Sequence, residues 1–302
     1  MSFGLGFFCS TSGNELSTNH KIRLRNLTRE SLMGVFQRNM EDFLELLKLS
    51  CRMGLTIFRL GSDFVPFASH PSFQPDWARE VELALRQVSD LVRSFGIRVT
   101  MHPAQFVVLN SPREDVVERS LAELEYHFWV LDSLGLGRES IVVVHAGGAY
   151  GDKGRALKKF ESTVEENKWL LKRLALENDE RHYTAAEVLE LAESIGVPFV
   201  FDYYHHILNP SKFSVDRALT SWRGVTPEVH ISSKPEKPGR FGEHGDYVDV
   251  EDFKNFVSTF STDQPVDVIV EAKKKERAVA KLLEDLRREG LDYLIRTRVC
   301  AI

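Results

Sequence analysis

Residues 174–206 read LALENDERHYTAAEVLELAESIGVPFVFDYYHH. Two short apolar runs, Leu174 to Glu177 and Pro198 to Asp202, bracket an amphipathic stretch over 184 to 195. That stretch opens on a capping box, Thr184 followed three residues on by Glu187, and stops at Gly196, a residue that tolerates a left-handed cap. The pattern is strand, helix, strand, the unit of a parallel βαβ sheet. Both strands end on a carboxylate, Glu177 and Asp202.

Working outward, the same alternation recurs until eight units are counted. The other strand candidates are Leu5 to Cys9, Leu55 to Leu60, Ile97 to Met101, Ile141 to His145, Pro227 to Ile231 and Val266 to Glu271. Helices are predicted near 31–53, 76–95, 114–134, 154–173, 214–221, 250–260 and 274–289. Thr28 and Ser111-Pro112 supply start signals, and Gly54, Gly96, Gly135 and Gly290 supply stops. Eight βα units in 302 residues predict an α/β fold, a TIM (β/α)8 barrel in a single domain over 1–302. An open doubly wound sheet fits less well, because its Gly-rich dinucleotide turn is absent and Gly4-Leu-Gly6 opens a strand instead of following one. The longest irregular stretches, Ser10 to Thr28, Ser62 to Asp76 and Ser232 to Val248, each follow a strand and so belong to the active face of a barrel.

Composition narrows the function classes. Hydrophobic residues make up 43% and charged residues 27%, mean hydropathy is −0.22, and no apolar run approaches the ~20 residues of a bilayer span. Met1 to Phe8 is too short for a signal sequence. Three cysteines, Cys9, Cys51 and Cys300, form no CxxC pair, which argues against a disulfide framework or a thiolate zinc site and predicts a cytoplasmic protein. The terminal Cys300-Ala-Ile is not a prenylation box. A net charge of −5 and a pI near 6.1 exclude a wholly basic nucleic-acid coat. They leave room for a nucleic-acid enzyme with local basic loops, such as Lys21 to Arg29 or Lys234 to Arg240.

The functional signal lies at the strand ends. His102, His145, Glu177, Asp202, His230 and Glu271 fall on six successive strands, and His70, His205 and His244 follow strands two, six and seven. One histidine at a strand end is more often structural than a ligand, and one buried acid is costly unless paired or metal-bound. Convergence on one mouth changes the balance, because so many acids cannot be buried together without cations. All-N,O donors of mixed imidazole and carboxylate favour Mn2+ or Zn2+ over Mg2+, and nine donors suit two or three ions, with Glu177 as a bridge. Clusters of this kind drive displacement at phosphorus through activated water, with Glu177, His102, His145, Asp202 and Glu271 as the catalytic set. Glu228 shares the inward face of its strand with His230, and is read either as a further metal ligand or as half of a salt bridge.

The strings LGFFC, FRLGS, PFASHP, MHPAQFV, VVHAGGAYGDKG, ALENDE, FDYYHH, VHIS and VEAKKKE, spread from about Leu5 to Glu276, resemble the UV damage endonuclease family. The resemblance implies a barrel related to endonuclease IV and the xylose isomerase-like proteins. It implies a three-metal site, manganese with Zn2+ or Mg2+ as alternatives, and damaged double-stranded DNA as the partner. It also implies a nick immediately 5′ of pyrimidine dimers, 6-4 photoproducts and some abasic sites, leaving 3′-hydroxyl and 5′-phosphate ends. The family's ligands match His70, His102, His145, Glu177, Asp202, His205, His230, His244 and Glu271. Its Gln-Tyr lesion-probing wedge reads Gln105-Phe106 here, and a further family tyrosine matches Phe7. At Glu228 relatives carry a lysine that can be carboxylated, so this chain encodes the acid directly. Lys153, Lys273 and Lys275 are candidate phosphate contacts, weighed against an ordinary solvated charge run. The chain is expected to be monomeric and free of membrane contact. The competing readings are an abasic-site endonuclease of the endonuclease IV type, a metal-dependent sugar isomerase, and a non-catalytic damage-binding barrel.

Overall fold

The computed structural model describes residues 1–237 and 239–300. Pro238, in the basic loop 234–240, and Ala301 and Ile302, of the terminal Cys-Ala-Ile, lie outside the described residues. Eight parallel strands close on themselves: β1 (Phe3–Phe8), β2 (Ile57–Leu60), β3 (Arg98–Met101), β4 (Val142–His145), β5 (Leu174–Glu177), β6 (Phe199–Asp202), β7 (Glu228–Ile231) and β8 (Val266–Val270). Pairing of β1 with both β2 and β8 completes the TIM barrel the sequence predicts.

The helices are α1 (Arg29–Arg52), α2 (Pro75–Phe95), α3 (Glu114–Ser133), α4 (Lys153–Glu166), α5 (Ala185–Ile195), α6 (Tyr203–Leu208), α7 (Val215–Thr220), α8 (Val250–Ser258) and α9 (Lys275–Arg288). The capping box of α5 forms as read, with Thr184 and Glu187 exchanging hydrogen bonds, and Gly196 closes the helix at φ 79°. Two elements differ from expectation. The run predicted over 154–173 splits at Asn167, whose φ −122°, ψ 58° ends α4 before a 3-10 turn at Lys168–Lys172. Helix α6 is new: the Asp202 carboxylate accepts the His205 N–H at 2.7 Å and so caps a helix too short to show periodicity.

Outward-facing strand residues pack on the helices, as Phe58 does against Phe43 of α1 and Phe7. The residues alternating with them point inward and are largely polar: Arg59, Arg98, Thr100, Glu177, Asp202, Glu228, His230 and Asp267 are all buried. Among the described residues no helix is long and apolar enough to cross a membrane.

The carboxy-terminal segment corrects the cysteine reading. A ninth strand, β9 (Ile295–Arg296), pairs with β1, and Cys300 is bridged to Cys51 of α1 across a separation of 249 residues. An odd count without CxxC speaks only of near neighbours. This pair is joined by the fold, which brings the tail back beside the end of α1. Thiol titration of unreduced, denatured protein should therefore find one thiol per chain, that of Cys9, where three would refute the bridge.

Candidate metal centre

Strand register sets the centre. His145 lies beside Glu177 in the β4–β5 pair and Asp202 beside His230 in the β6–β7 pair, so the four donors come as two neighbouring pairs at the same end of the barrel. Glu177 is fully buried at the middle. One carboxylate oxygen meets His102 Nε2 at 2.8 Å and His145 Nε2 at 3.6 Å, while the other meets His230 Nδ1 at 2.6 Å and His205 Nδ1 at 3.9 Å. Glu271, just past β8, lies 3.4 Å from His230 Nδ1 and 3.5 Å from His244 Nδ1. The His244 ring stands 5.8 Å from that of His205.

Two donor sets result, His102, His145 and Glu177 on one side and Glu177, Asp202, His230 and Glu271 on the other, with the ligand atoms of each within 4.8 Å of one another. They share Glu177, the residue expected to bridge. His205 and His244 flank them. The contacts of His70 are within its own loop: its ring stands edge-on to that of Phe67 at 5.9 Å, and its Nδ1 accepts the Ser72 N–H at 3.1 Å.

The donor chemistry fits divalent cations. His145 Nδ1 and Asp202 Oδ2 are buried without a hydrogen-bond partner, which is costly unless a cation satisfies them. Burial raises the Glu177 carboxyl, but His230 and His145 more than offset that and hold it well below the usual carboxylate range. Burial pulls His205 down while Asp202 and Glu177 push it up to about 9; His230, against the same opposition, reaches about 10 through Glu177. The acids thus draw protons onto the histidines, and metal ions compete for the same positions. The buried cluster can hold metal ions, and its affinity for them should rise with pH.

Two arginines were not anticipated. Arg59 of β2, 5% exposed, donates to a Glu271 oxygen, places Nη2 2.5 Å from His230 Nε2 and lies 3.8 Å from Glu228. Arg98 of β3 stands 3.7 Å from the other Glu228 oxygen. Glu228 itself, assigned to the ligand set as one alternative, belongs to neither donor set and sits on the floor beneath them.

The mouth opens into a cleft of about 1080 Å3 lined by His102, Gln105, His145, Tyr150, Arg181 and Phe241 among others. Tyr150 and Phe241 are exposed, and the Arg181 guanidinium lies 5.2 Å from the Phe241 ring centre. Gln105 and Phe106 project from the loop after β3, Phe106 being 67% exposed. Phe7 does not join them. It is fully buried against Phe58 in the layer between strands and helices, so the lesion-probing reading of Phe7 is corrected; Phe8, on the other side of the pleat, reaches the mouth. The three candidate phosphate lysines already have partners: Lys153 pairs with Glu187 at 3.0 Å, Lys273 pairs with Glu243, and Lys275 is half-buried with Nζ 2.9 Å from the Phe8 ring centre.

Comparison with known proteins adds to this geometry. The model of a family described as UV-endonuclease UvdE matches residues 10–298. A UV DNA damage endonuclease of Bacillus velezensis is 33% identical over 270 residues, covering 87% of this chain and 84% of that protein. One from Bacillus pumilus is 32% identical over 266 residues, covering 85% and 83%. The crystal structure of SacUVDE superposes with a TM-score of 0.86 at 28% identity, over 95% of this chain and 99% of that one. A D-psicose 3-epimerase from Clostridium cellulolyticum H10, with a TM-score of 0.53 at 13% identity over 96% and 98%, shares the barrel alone.

Proposed function

This chain belongs to the UV-endonuclease UvdE family, and we propose from that premise how its residues divide the work. The protein is an endonuclease of UV-damaged DNA, a hydrolase, and its substrate is damaged duplex. The observation that carries the mechanism is the meeting of five strand-end donors, His102, His145, Asp202, His230 and Glu271, around one buried carboxylate, Glu177. Divalent cations held there would supply Lewis-acid activation of water and neutralise charge at the phosphate. Imidazole and carboxylate donors favour manganese or zinc, and the donors are numerous enough for three ions if His70 closes the outer side.

The remaining residues position the duplex. Gln105 and Phe106 stand free at the rim, where a planar ring can enter the base stack and test whether it has been weakened. Tyr150 and Phe241 line the adjoining cleft and offer further faces to unstacked bases. Gly147 and Gly148 let the sugar-phosphate backbone approach the wall beside His145. The cut falls 5′ of the lesion and leaves 3′-hydroxyl and 5′-phosphate ends. The chain acts as a monomer, in one domain, without membrane contact.

Purified protein with Mn2+ should nick a duplex carrying one pyrimidine dimer and spare the undamaged duplex. Equal cutting of both would end the reading, and a stronger preference for an abasic-site duplex would point to the endonuclease IV type. Because Phe106 is exposed, Phe106→Ala should leave stability within about 0.5 kcal/mol. It should weaken binding of the damaged duplex by roughly 5- to 150-fold, the loss of about 1–3 kcal/mol of stacking. Thermal melts and a binding titration on paired damaged and undamaged duplexes check both.

A further inference from the structure

We propose that the barrel carries a second ligand site, at the end opposite the metal centre, which takes a small phosphate-bearing anion among Arg93, Arg98, Arg296 and Arg298. The site does not depend on the metal-centre reading.

It lies where strands begin. Arg98 opens β3, Asp267 is second in β8, and Gly96 caps α2 just before β3, whereas the metal donors lie at the strands' far ends. A cavity of about 500 Å3 lies between these residues and the carboxy-terminal segment that carries β9. Four arginines line it against two acids, Glu139 and Asp267. Glu139 is exposed, so water screens its charge, while Asp267 is buried. That buried carboxylate is shared: Arg98 Nη1 donates to it at 3.3 Å, Arg296 Nη2 at 2.6 Å and Thr56 Oγ1 at 2.6 Å. Arg93 pairs with Asp90 in the last turn of α2, where a cation matches the helix's carbonyl end. Among the described residues the cavity's other ion pairs are those of Arg98 and Arg296, which leaves Arg298 without one. Arg296 Nε is buried with no hydrogen-bond partner. Positive charge in excess and a buried donor left over are both satisfied by an anion.

The cradle is built before any ligand arrives. Pairing of β9 with β1 sets Arg296 beside Gly4, where a Cβ would stand 2.8 Å from Arg296 Nη2 and 2.0 Å from Thr56 Oγ1. Gly96, at φ 60°, makes room for Arg298 in the same way, since a Cβ there would lie 1.9 Å from Nη2. The Cys51–Cys300 bridge then ties down the chain two residues beyond Arg298. Two arginines of a terminal segment are thereby held in place, which removes much of the ordering cost of binding. Planar guanidinium forks match the paired oxygens of a phosphate group, and a cavity of this size suits a small molecule and not a duplex.

Metal-free protein in chelator is titrated calorimetrically with inorganic phosphate, with pyrophosphate and with adenosine diphosphate. Wild type should bind one equivalent of at least one of them. Arg298→Ala removes an exposed side chain and so spares the fold. It should weaken that binding by roughly 10- to 150-fold, the worth of hydrogen bonds to a charged group, and should still nick damaged duplex at the wild-type rate with Mn2+. Glu177→Gln, altered at the other end of the barrel, should bind the anion as wild type does. Equal affinity for pyrophosphate and adenosine diphosphate would support the site and identify free phosphate as the source, whereas tighter binding of adenosine diphosphate would support it and identify a nucleotide. No binding by wild type at about 10 mM of all three, or equal binding by wild type and Arg298→Ala, would overturn the proposal. Loss of binding in Glu177→Gln would place the anion at the metal centre and overturn it as well.

Discussion

Glu177→Gln is expected to slow nicking of a dimer-containing duplex by on the order of 10^3-fold at saturating Mn2+, while the variant still binds that duplex. Removal of one preorganised group at a reacting centre costs about 10^2- to 10^3-fold. Glu177 belongs to both donor sets, so its loss falls at the upper end of that range. The amide preserves shape but offers one oxygen where the carboxylate offers two, and either His102 and His145 or His230 must lose a partner. Single-turnover cleavage beside a binding titration separates chemistry from affinity. Activity within tenfold of wild type would show that Glu177 is not the hub. A second readout follows from the depressed carboxyl. Its contribution to the metal-free fold is complete above the ordinary glutamate pKa of about 4.3 and fades as the pH falls toward the lower folded value. The stability gap between wild type and variant should therefore narrow below about pH 4 in chelator.

Why the place of Glu177 can be read from sequence, and the partners of Arg59 cannot, is a matter of geometry. A parallel barrel sends the last inward residue of each strand to the same mouth, so a histidine or acid closing a Val/Ile/Phe run announces its own position. His102, His145, Glu177 and Asp202 are placed by that rule. His70 lies on a loop, where no pleat dictates direction, and its contacts there are with Phe67 and Ser72. Phe7 and Phe8 differ by a single step of alternation, and a strand read as Leu5 to Cys9 without a phase does not distinguish a wedge from a core ring.

The buried cations follow a related rule. Arg59 follows outward-facing Phe58 in β2 and must point inward by the same argument that places Glu228. A buried arginine in the run Ile57–Leu60 was therefore a legible signal, but its partners are not: Glu271 is 212 residues away and His230 171. The Cys51–Cys300 bridge was hidden in the same way. Local periodicity fixes which way a side chain faces, and only closure of the barrel decides what it meets there.

Closure gives Arg59 a measurable consequence. Arg59→Met keeps most of the apolar stem and removes the charge that faces Glu271 and Glu228, leaving both carboxylates under-compensated in a buried site. Breaking a buried ion pair from one side costs about 3–5 kcal/mol. At roughly 1.5–2 °C per kcal/mol for a chain of 302 residues, that lowers the melting temperature of the metal-free protein by roughly 5–10 °C. Two conditions should return part of the loss if charge is the cause. Saturating Mn2+ supplies positive charge to Glu271 and stabilises by mass action, so the deficit should shrink in metal relative to chelator. Acid should act in the same direction. Burial raises the Glu271 carboxyl while Arg59, ahead of His230, lowers it; removing Arg59 takes away the first of these opposing charges, and the carboxyl moves up. The wild-type carboxyl, held low, contributes stability that is complete above the ordinary glutamate pKa of about 4.3 and lost as the pH falls below it, so the deficit should be smaller at pH 4 than at pH 7.5. Calorimetry over the four combinations of pH and metal reads both effects. A deficit that is the same in all four would mean that Arg59 acts through its packed stem, and that the carboxylates at the centre need no fixed cation beside them.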